Sequence, residues 1–197
     1  VGDIVDTVLP HRFFERPTVE VARDLLGRHL AMPDGVVLRV TETEAYRFDD
    51  TACHAHKGRT PRTAPMFGPP GYLYVYLCYG IHHLLNLVTE GEGTACCVLV
   101  RGCTVVGGHA RVHARRGGPR DLKGPGKVGQ ALGLDVSLSG LPLSTRRPLE
   151  GLAVLSGQPV LEHHTTPRIG IDYAEPADRA REWRFVAGKL RTRRVRG

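Results

Sequence analysis

The sequence predicts an α+β fold: antiparallel strands with helices around them, in one domain over residues 1–197. Three observations predict it. Two stretches read as strand–turn–strand hairpins. Short segments with helical spacing fall between and after them. The 197 residues contain no internal repeat, no linker and no long low-complexity run, which suits one domain.

The elements follow in order. Thr18 to Leu26 reads as a helix, with Val19, Ala22, Leu25 and Leu26 at helical spacing. Thr18 can cap its start and Gly27 can end it. His29 to Met32 is apolar, Pro33-Asp34-Gly35 is a turn, and Val36 to Tyr46 reads as a long strand. Residues 47–71 carry Gly, Pro, Asp and His without a period, which predicts a long loop. Leu73 to Cys78 and His83 to Thr89 form a second hairpin about Gly80, and Ala95 to Arg101 is a buried strand. Residues 107–116 and Val128 to Leu132 read as short helices, the latter stopped near Gly133, on either side of the basic loop GGPRDLKGPGK. Leu152 to Val154 and Val160 to Glu162 read as short strands. From Arg179 onward the chain is basic and holds Trp183, with about the last ten residues, 188–197, expected as a solvated tail.

Composition narrows the function. The chain is 41% hydrophobic and 24% charged, the balance of a globular domain rather than a disordered one. Its 27 Lys and Arg against 20 Asp and Glu leave a net charge of +7 and a pI near 9.5, which points to a polyanionic partner. The longest apolar run, Tyr72 to Tyr79, is far short of the ~18 residues a membrane span needs. The first ten residues, VGDIVDTVLP, hold two acids and no basic stretch, so they do not read as a secretory signal. The five cysteines include an adjacent pair and no C-x-x-C. That excludes a simple disulfide framework and a zinc ribbon, and predicts a reducing compartment such as the cytoplasm, on the nucleoid if the source is bacterial.

Strand alternation along VVLRVTETEAY places Val36, Leu38, Val40, Glu42, Glu44 and Tyr46 on one face. Burying a carboxylate is costly. Either the strand emerges into solvent after Val40, or a carboxylate stands at a pocket rim as a general base. Four of the six tyrosines, Tyr72, Tyr74, Tyr76 and Tyr79, lie within eight residues. Strand propensity accounts for most of this. Tyr79 before Gly80 is different, because a large aromatic at a turn has no packing reason to be there, and a protruding aromatic can wedge between stacked bases. The ten histidines show no zinc-ligand spacing, so no metal is expected.

Taken together, the stretches TETEAY, HAHKGRTPR, MFGPPGYLYVYLCYGIHHLLN, CVLVR, GPGKVGQALG, PRIGI and WRF resemble the alkyladenine (3-methyladenine) DNA glycosylase family. The likeness is to the type without a helix-hairpin-helix motif, in a compact bacterial-type form. It runs from FFERPTVEVARDLLG almost to the C-terminus.

The resemblance implies a curved antiparallel sheet surrounded by helices, with a protruding hairpin for the DNA minor groove. It implies a monomeric, monofunctional purine N-glycosylase acting on damaged purines in double-stranded DNA, without a cofactor, lyase step or membrane. Glu44 matches the general base, and Arg101 an arginine beside the catalytic water. Tyr46, His54 and Tyr76 match residues that stack around a flipped base, Tyr79 the wedge, and Asn86 an asparagine that disfavours the guanine amine. Gly102 and Cys103 depart from the pattern, which usually continues Ala-Leu after the arginine. Val186 after WRF departs from the commoner Tyr. A non-enzymatic RNA- or single-strand-binding module is the rival reading of a basic, tyrosine-rich chain; it leaves Glu44 without a purpose.

Overall fold

The computed structural model describes residues 7–118, 121–146 and 150–188. The N-terminal segment first docks through Val8 onto Leu155. Helix α1, Thr18–Asp24, buries Val21 and Ala22. Thr18 is its first helical residue rather than its cap, which is Pro17. The Thr18 hydroxyl instead donates to Glu90, 72 residues away.

Strand β1, His29–Ala31, pairs antiparallel with β2, Val37–Tyr46, across the predicted turn. The long loop contains one 3-10 turn, Ala64–Phe67. Strands β3, Leu73–Cys78, and β4, His82–Thr89, form the predicted hairpin. Strand β5, Cys96–Gly107, runs well past the predicted end at Arg101. Helix α2 spans His109–Arg116, β6 is Leu122–Lys123, and α3 is Pro125–Leu132, ending at Gly133 with φ 69°. Three strands follow: β7, Ala153–Leu155, β8, His163–Thr166, and β9, Arg184–Ala187, with the short helix α4, Pro176–Ala180, between the last two.

One expectation needs correction here. The short strand expected at Val160 to Glu162 lies instead at His163–Thr166, and Leu161 is fully open to solvent. The basic C-terminal region from Arg179 opens at the end of α4 and continues into β9, which pairs with both β8 and β2. The expected solvated tail falls, from Lys189 onward, outside the described residues.

The strands form one curled antiparallel sheet in the order β3-β4-β5-β2-β1-β7, with β6 on β5 and β9 on β2. On one face, Phe14, α1, α2 and α3 close a core through Leu25, Leu30, Leu38, Leu85, Val100, Val112 and Leu132. The opposite face of β2–β5 carries a second cluster, built from Cys53, Met66, Tyr74, Val88 and Cys97 under the long loop. The two clusters make the sheet a wall with a helical side and a loop side.

Strand β2 crosses from plain structure to chemistry through an irregularity. Its register with β5 slips at Thr41 and again opposite Arg101, so Val40 faces Cys103, Glu42 faces Gly102, and Thr43 faces Val100. An extra residue in a strand reverses the side on which later side chains point. Val36, Leu38 and Val40 face the helical core. After the slip, Thr43 and Ala45 take over that face, with the Thr43 hydroxyl donating to the Ala22 carbonyl of α1 at 2.7 Å. Strict alternation therefore misassigned Glu44 and Tyr46: they point away from the apolar row, to the loop side.

Candidate active site

A cavity of about 470 Å³ opens on the loop side, within the size range of small-molecule pockets. Six of the seven residues singled out from sequence line it: Tyr46, His54, Tyr76, Tyr79, Asn86 and Arg101. The seventh, Glu44, lies just behind the wall. Its side chain is 0% exposed and its partners line the cavity for it.

The Glu44 carboxylate is held from three sides. The Ile169 N–H donates to Oε1 at 2.8 Å, and the Tyr46 hydroxyl donates to Oε2 at 2.7 Å. The Arg101 guanidinium stands at 3.4 Å from each oxygen. Burial raises the Glu44 pKa above the ordinary carboxylate value, and it outweighs the opposing pull of Arg101, the Ile169 N–H and the Tyr46 hydroxyl. Tyr46 is itself held well above the usual phenol range, by burial first and then by Glu44. It therefore keeps its proton and stays a donor.

On the aromatic side of the cavity Tyr74 and Tyr76 lie 5.3 Å apart with a 30° tilt, and His54 stands across both. His54 stands edge-on to Tyr74, at 6.2 Å between centroids, and to Tyr76, at 4.7 Å. Burial, and Arg62 after it, pushes His54 down to about 4, so the ring is neutral near pH 7. Burial pushes Tyr74 upward, so its hydroxyl stays protonated, and it shares a hydrogen bond of 3.0 Å with His54 Nδ1. Asn86 is fixed by two partners. Its Nδ2 donates to the Tyr74 carbonyl at 3.1 Å, and its Oδ1 accepts from the Cys97 thiol at 3.7 Å. Burial holds that thiol well above its usual range, so it stays protonated and remains a donor.

At the rim, Tyr79 is 93% exposed. It has φ 50° and Gly80 has φ 71°, and the Ile81 N–H closes the turn on the Cys78 carbonyl. Two consecutive positive φ values are a hairpin-turn geometry that glycine and asparagine favour. A tyrosine there costs about 1–3 kcal/mol of backbone strain, and no packing offsets it.

Residues 12–190 match the family model described as methylpurine-DNA glycosylase. The chain is 52% identical over 183 residues to a relative from Nitrosococcus oceani, covering 91% of this chain and 89% of that one; the relative's name assigns it provisionally to the 3-methyladenine DNA glycosylases. It is 48% identical over 183 residues to a protein from Arabidopsis thaliana named DNA-3-methyladenine glycosylase, covering 91% of this chain and 71% of that one.

The chain belongs to the methylpurine-DNA glycosylase family. It is accordingly a DNA N-glycosylase, a hydrolase. In and behind the cavity lie residues to which sequence reasoning gave no role. Arg168 is wholly buried, pairs with both oxygens of Asp50, and donates to the Ala45 carbonyl at 2.9 Å. Its guanidinium lies under the Tyr46 ring at 4.9 Å and over Trp183 at 5.2 Å. It thereby fixes the ring that touches Glu44 and the backbone that offers the Ile169 N–H. The PRIGI stretch carried the family likeness, but nothing local in it says that an arginine goes inside. Tyr74, one of the four clustered tyrosines, supplies the hydrogen bond that orients His54.

Proposed function

We propose that the protein extrudes an alkylated or deaminated purine from duplex DNA, holds it in the aromatic cavity, and hydrolyses its N-glycosidic bond to leave an abasic site. One observation carries the reading: a carboxylate wholly withdrawn from solvent, oriented by three donors, directly behind a cavity lined by aromatic rings. Extruding a nucleotide costs a few kcal/mol. Tyr79 offsets part of that cost by filling the gap left in the stack. The base then lies among Tyr46, His54 and Tyr76. A purine alkylated on a ring nitrogen is a cation, and electron-rich rings attract it by roughly 0.5–2 kcal/mol. A neutral His54 does not repel it.

Such a base is already a good leaving group, so the enzyme's task is to position water and take its proton. Glu44 is the general base, worth roughly 10²–10⁴-fold. Its negative charge also favours the developing oxocarbenium. Arg101 makes the longest contacts to Glu44, so the water enters on that side. Asn86 lines the cavity and penalises the guanine amine. The mechanism uses no lysine nucleophile, lyase step or cofactor. The enzyme acts as a monomer, and its five unpaired cysteines suit a reducing cytoplasm.

The test is product analysis with duplexes that each carry one lesion: 3-methyladenine, 7-methylguanine, hypoxanthine or ethenoadenine. Release of the free base with an intact abasic strand is expected for at least one of them. Tight binding to single strands with no base release from any duplex would favour the binding-module reading instead.

A further inference from the structure

We propose that Glu42, anchored by Arg184, is a positioning residue that holds the Arg101 guanidinium off Glu44 and so leaves the Glu44 carboxylate free to accept a proton. The inference rests on the reading of Glu44 as general base.

The distances carry it. Arg101 Nε donates to Glu42 Oε1 at 3.0 Å, while its approaches to both Glu44 oxygens stop at 3.4 Å. An unrestrained arginine beside a carboxylate closes to about 2.7–2.9 Å in a two-pronged pair. Here the shorter bond goes to the neighbour. Glu42 Oε1 is itself pinned by Arg184 Nε of β9 at 2.7 Å, and Arg184 is tied in turn to the Thr166 hydroxyl of β8 at 2.9 Å. The Glu42 and Arg101 side chains are 12% and 13% exposed, so water screens this competition weakly.

The double register slip brings these groups together. It puts Thr41 out of pairing on β2 and Arg101 out of pairing on β5. Gly102 completes the arrangement. A Cβ at position 102 would lie 2.9 Å from Glu42 Cβ and 3.3 Å from its Oε2. The departure from the family pattern at this position is thus the space that Glu42 occupies.

The groups that face Glu44 come from four places: Glu42 and Tyr46 on β2, Arg101 on β5, the Ile169 N–H, and Tyr173 beyond it. Arg168 acts from beneath Tyr46. Of these, Glu42 alone touches Arg101 by a hydrogen bond without touching Glu44 by one. Removing the Glu42 side chain lets Arg101 close on Glu44. That favours the ionised form, so the acid limb of the pH–rate profile moves to lower pH, and it also makes Glu44 a weaker base.

The experiment is single-turnover release of methylpurines from dimethyl-sulfate-treated duplex DNA, across the acid limb and plateau, with the full chain. Glu42→Ala is expected to move the limb down by about one pH unit and to lower the plateau about tenfold, the loss expected when a general base is weakened and tied up. Glu42→Gln keeps an acceptor for both arginines, so it should recover most of the plateau with a smaller shift in the same direction. Gly102→Ala, which displaces Glu42 without changing any charge, should shift the limb the same way as Glu42→Ala. A Glu42→Ala limb at the wild-type position, or moved to higher pH, overturns the proposal, as does a Gly102→Ala profile that coincides with wild type. Glu44→Gln serves as the control. Near wild-type activity in that variant would instead bring down the general-base reading, and this inference with it.

Discussion

The floor of the cavity and the tip of its hairpin are opposite solutions to placing a functional side chain. On the floor, Glu44 is wholly buried and each of its oxygens has a short donor. Behind it, Arg168 fills its space with Asp50, two carbonyls and two aromatic faces. At the tip, Tyr79 is almost fully exposed on a strained backbone. Leu77 and Ile81 are also exposed beside it. A charge that does chemistry needs its geometry fixed before substrate arrives, because a preorganised site costs nothing to reorganise at the moment of reaction. A side chain meant to enter another molecule's stack needs no partner inside its own. On the proposed reading, the floor carries the bond-breaking step and the tip the base-extruding step.

The largest effect should come from the floor. Glu44→Gln should keep lesion binding and lose excision by about two to four orders of magnitude. Single-turnover rates near wild type would break the comparison at its first half. Arg168→Met tests whether the floor is one unit. It leaves Asp50 buried and without its arginine partner, which should cost about 3–5 kcal/mol in a urea titration. Excision should fall in the variant that remains folded, because Tyr46 and the Ile169 N–H lose their support. A normal unfolding midpoint would show that the arginine is replaceable packing.

Asn86 lies between the two regions. Asn86→Ser should raise removal of normal guanine relative to hypoxanthine, by about tenfold if one poor contact is relieved. An unchanged ratio would leave Asn86 as a structural tie between Tyr74 and Cys97. His54 gives the smallest effect. Its pKa falls from 6.5 in the unfolded chain to about 4 in the folded one. As pH drops below the unfolded value, the unfolded state takes up a proton that the folded state refuses, so stability present near neutral pH is lost toward the folded value. The urea midpoint of the wild type should drop between about pH 7 and pH 5, and His54→Gln should flatten that drop. Parallel lines for the two proteins would show that the ring titrates freely.

The sequence made the tip easier to read than the floor. A tyrosine before a glycine between two strand-like runs is a local signal, and the β3–β4 hairpin forms where that signal lies. Glu44 was legible as chemistry but placed on the wrong face, because the slip at Thr41 leaves no trace in an alternation pattern. The ties that make the floor work join residues 42, 101 and 184, or 50, 168 and 178. Contacts so far apart in the chain have no periodicity to betray them. The same holds for β9, which carries no strand signal in the sequence and whose pairing with β2 makes Arg184 an anchor for Glu42.

The division of labour between floor and tip is tested most directly by following one duplex through both steps. A fluorescent base analogue opposite thymine reports extrusion, and quenched samples report excision, for wild type, Glu44→Gln and Tyr79→Ser. Glu44→Gln should reach the wild-type extruded population and release almost no base. Tyr79→Ser should reach a smaller extruded population, with base release reduced in the same proportion. If Glu44→Gln failed to accumulate extruded base, or if the two variants gave the same fluorescence trace, floor and tip would not be separate devices.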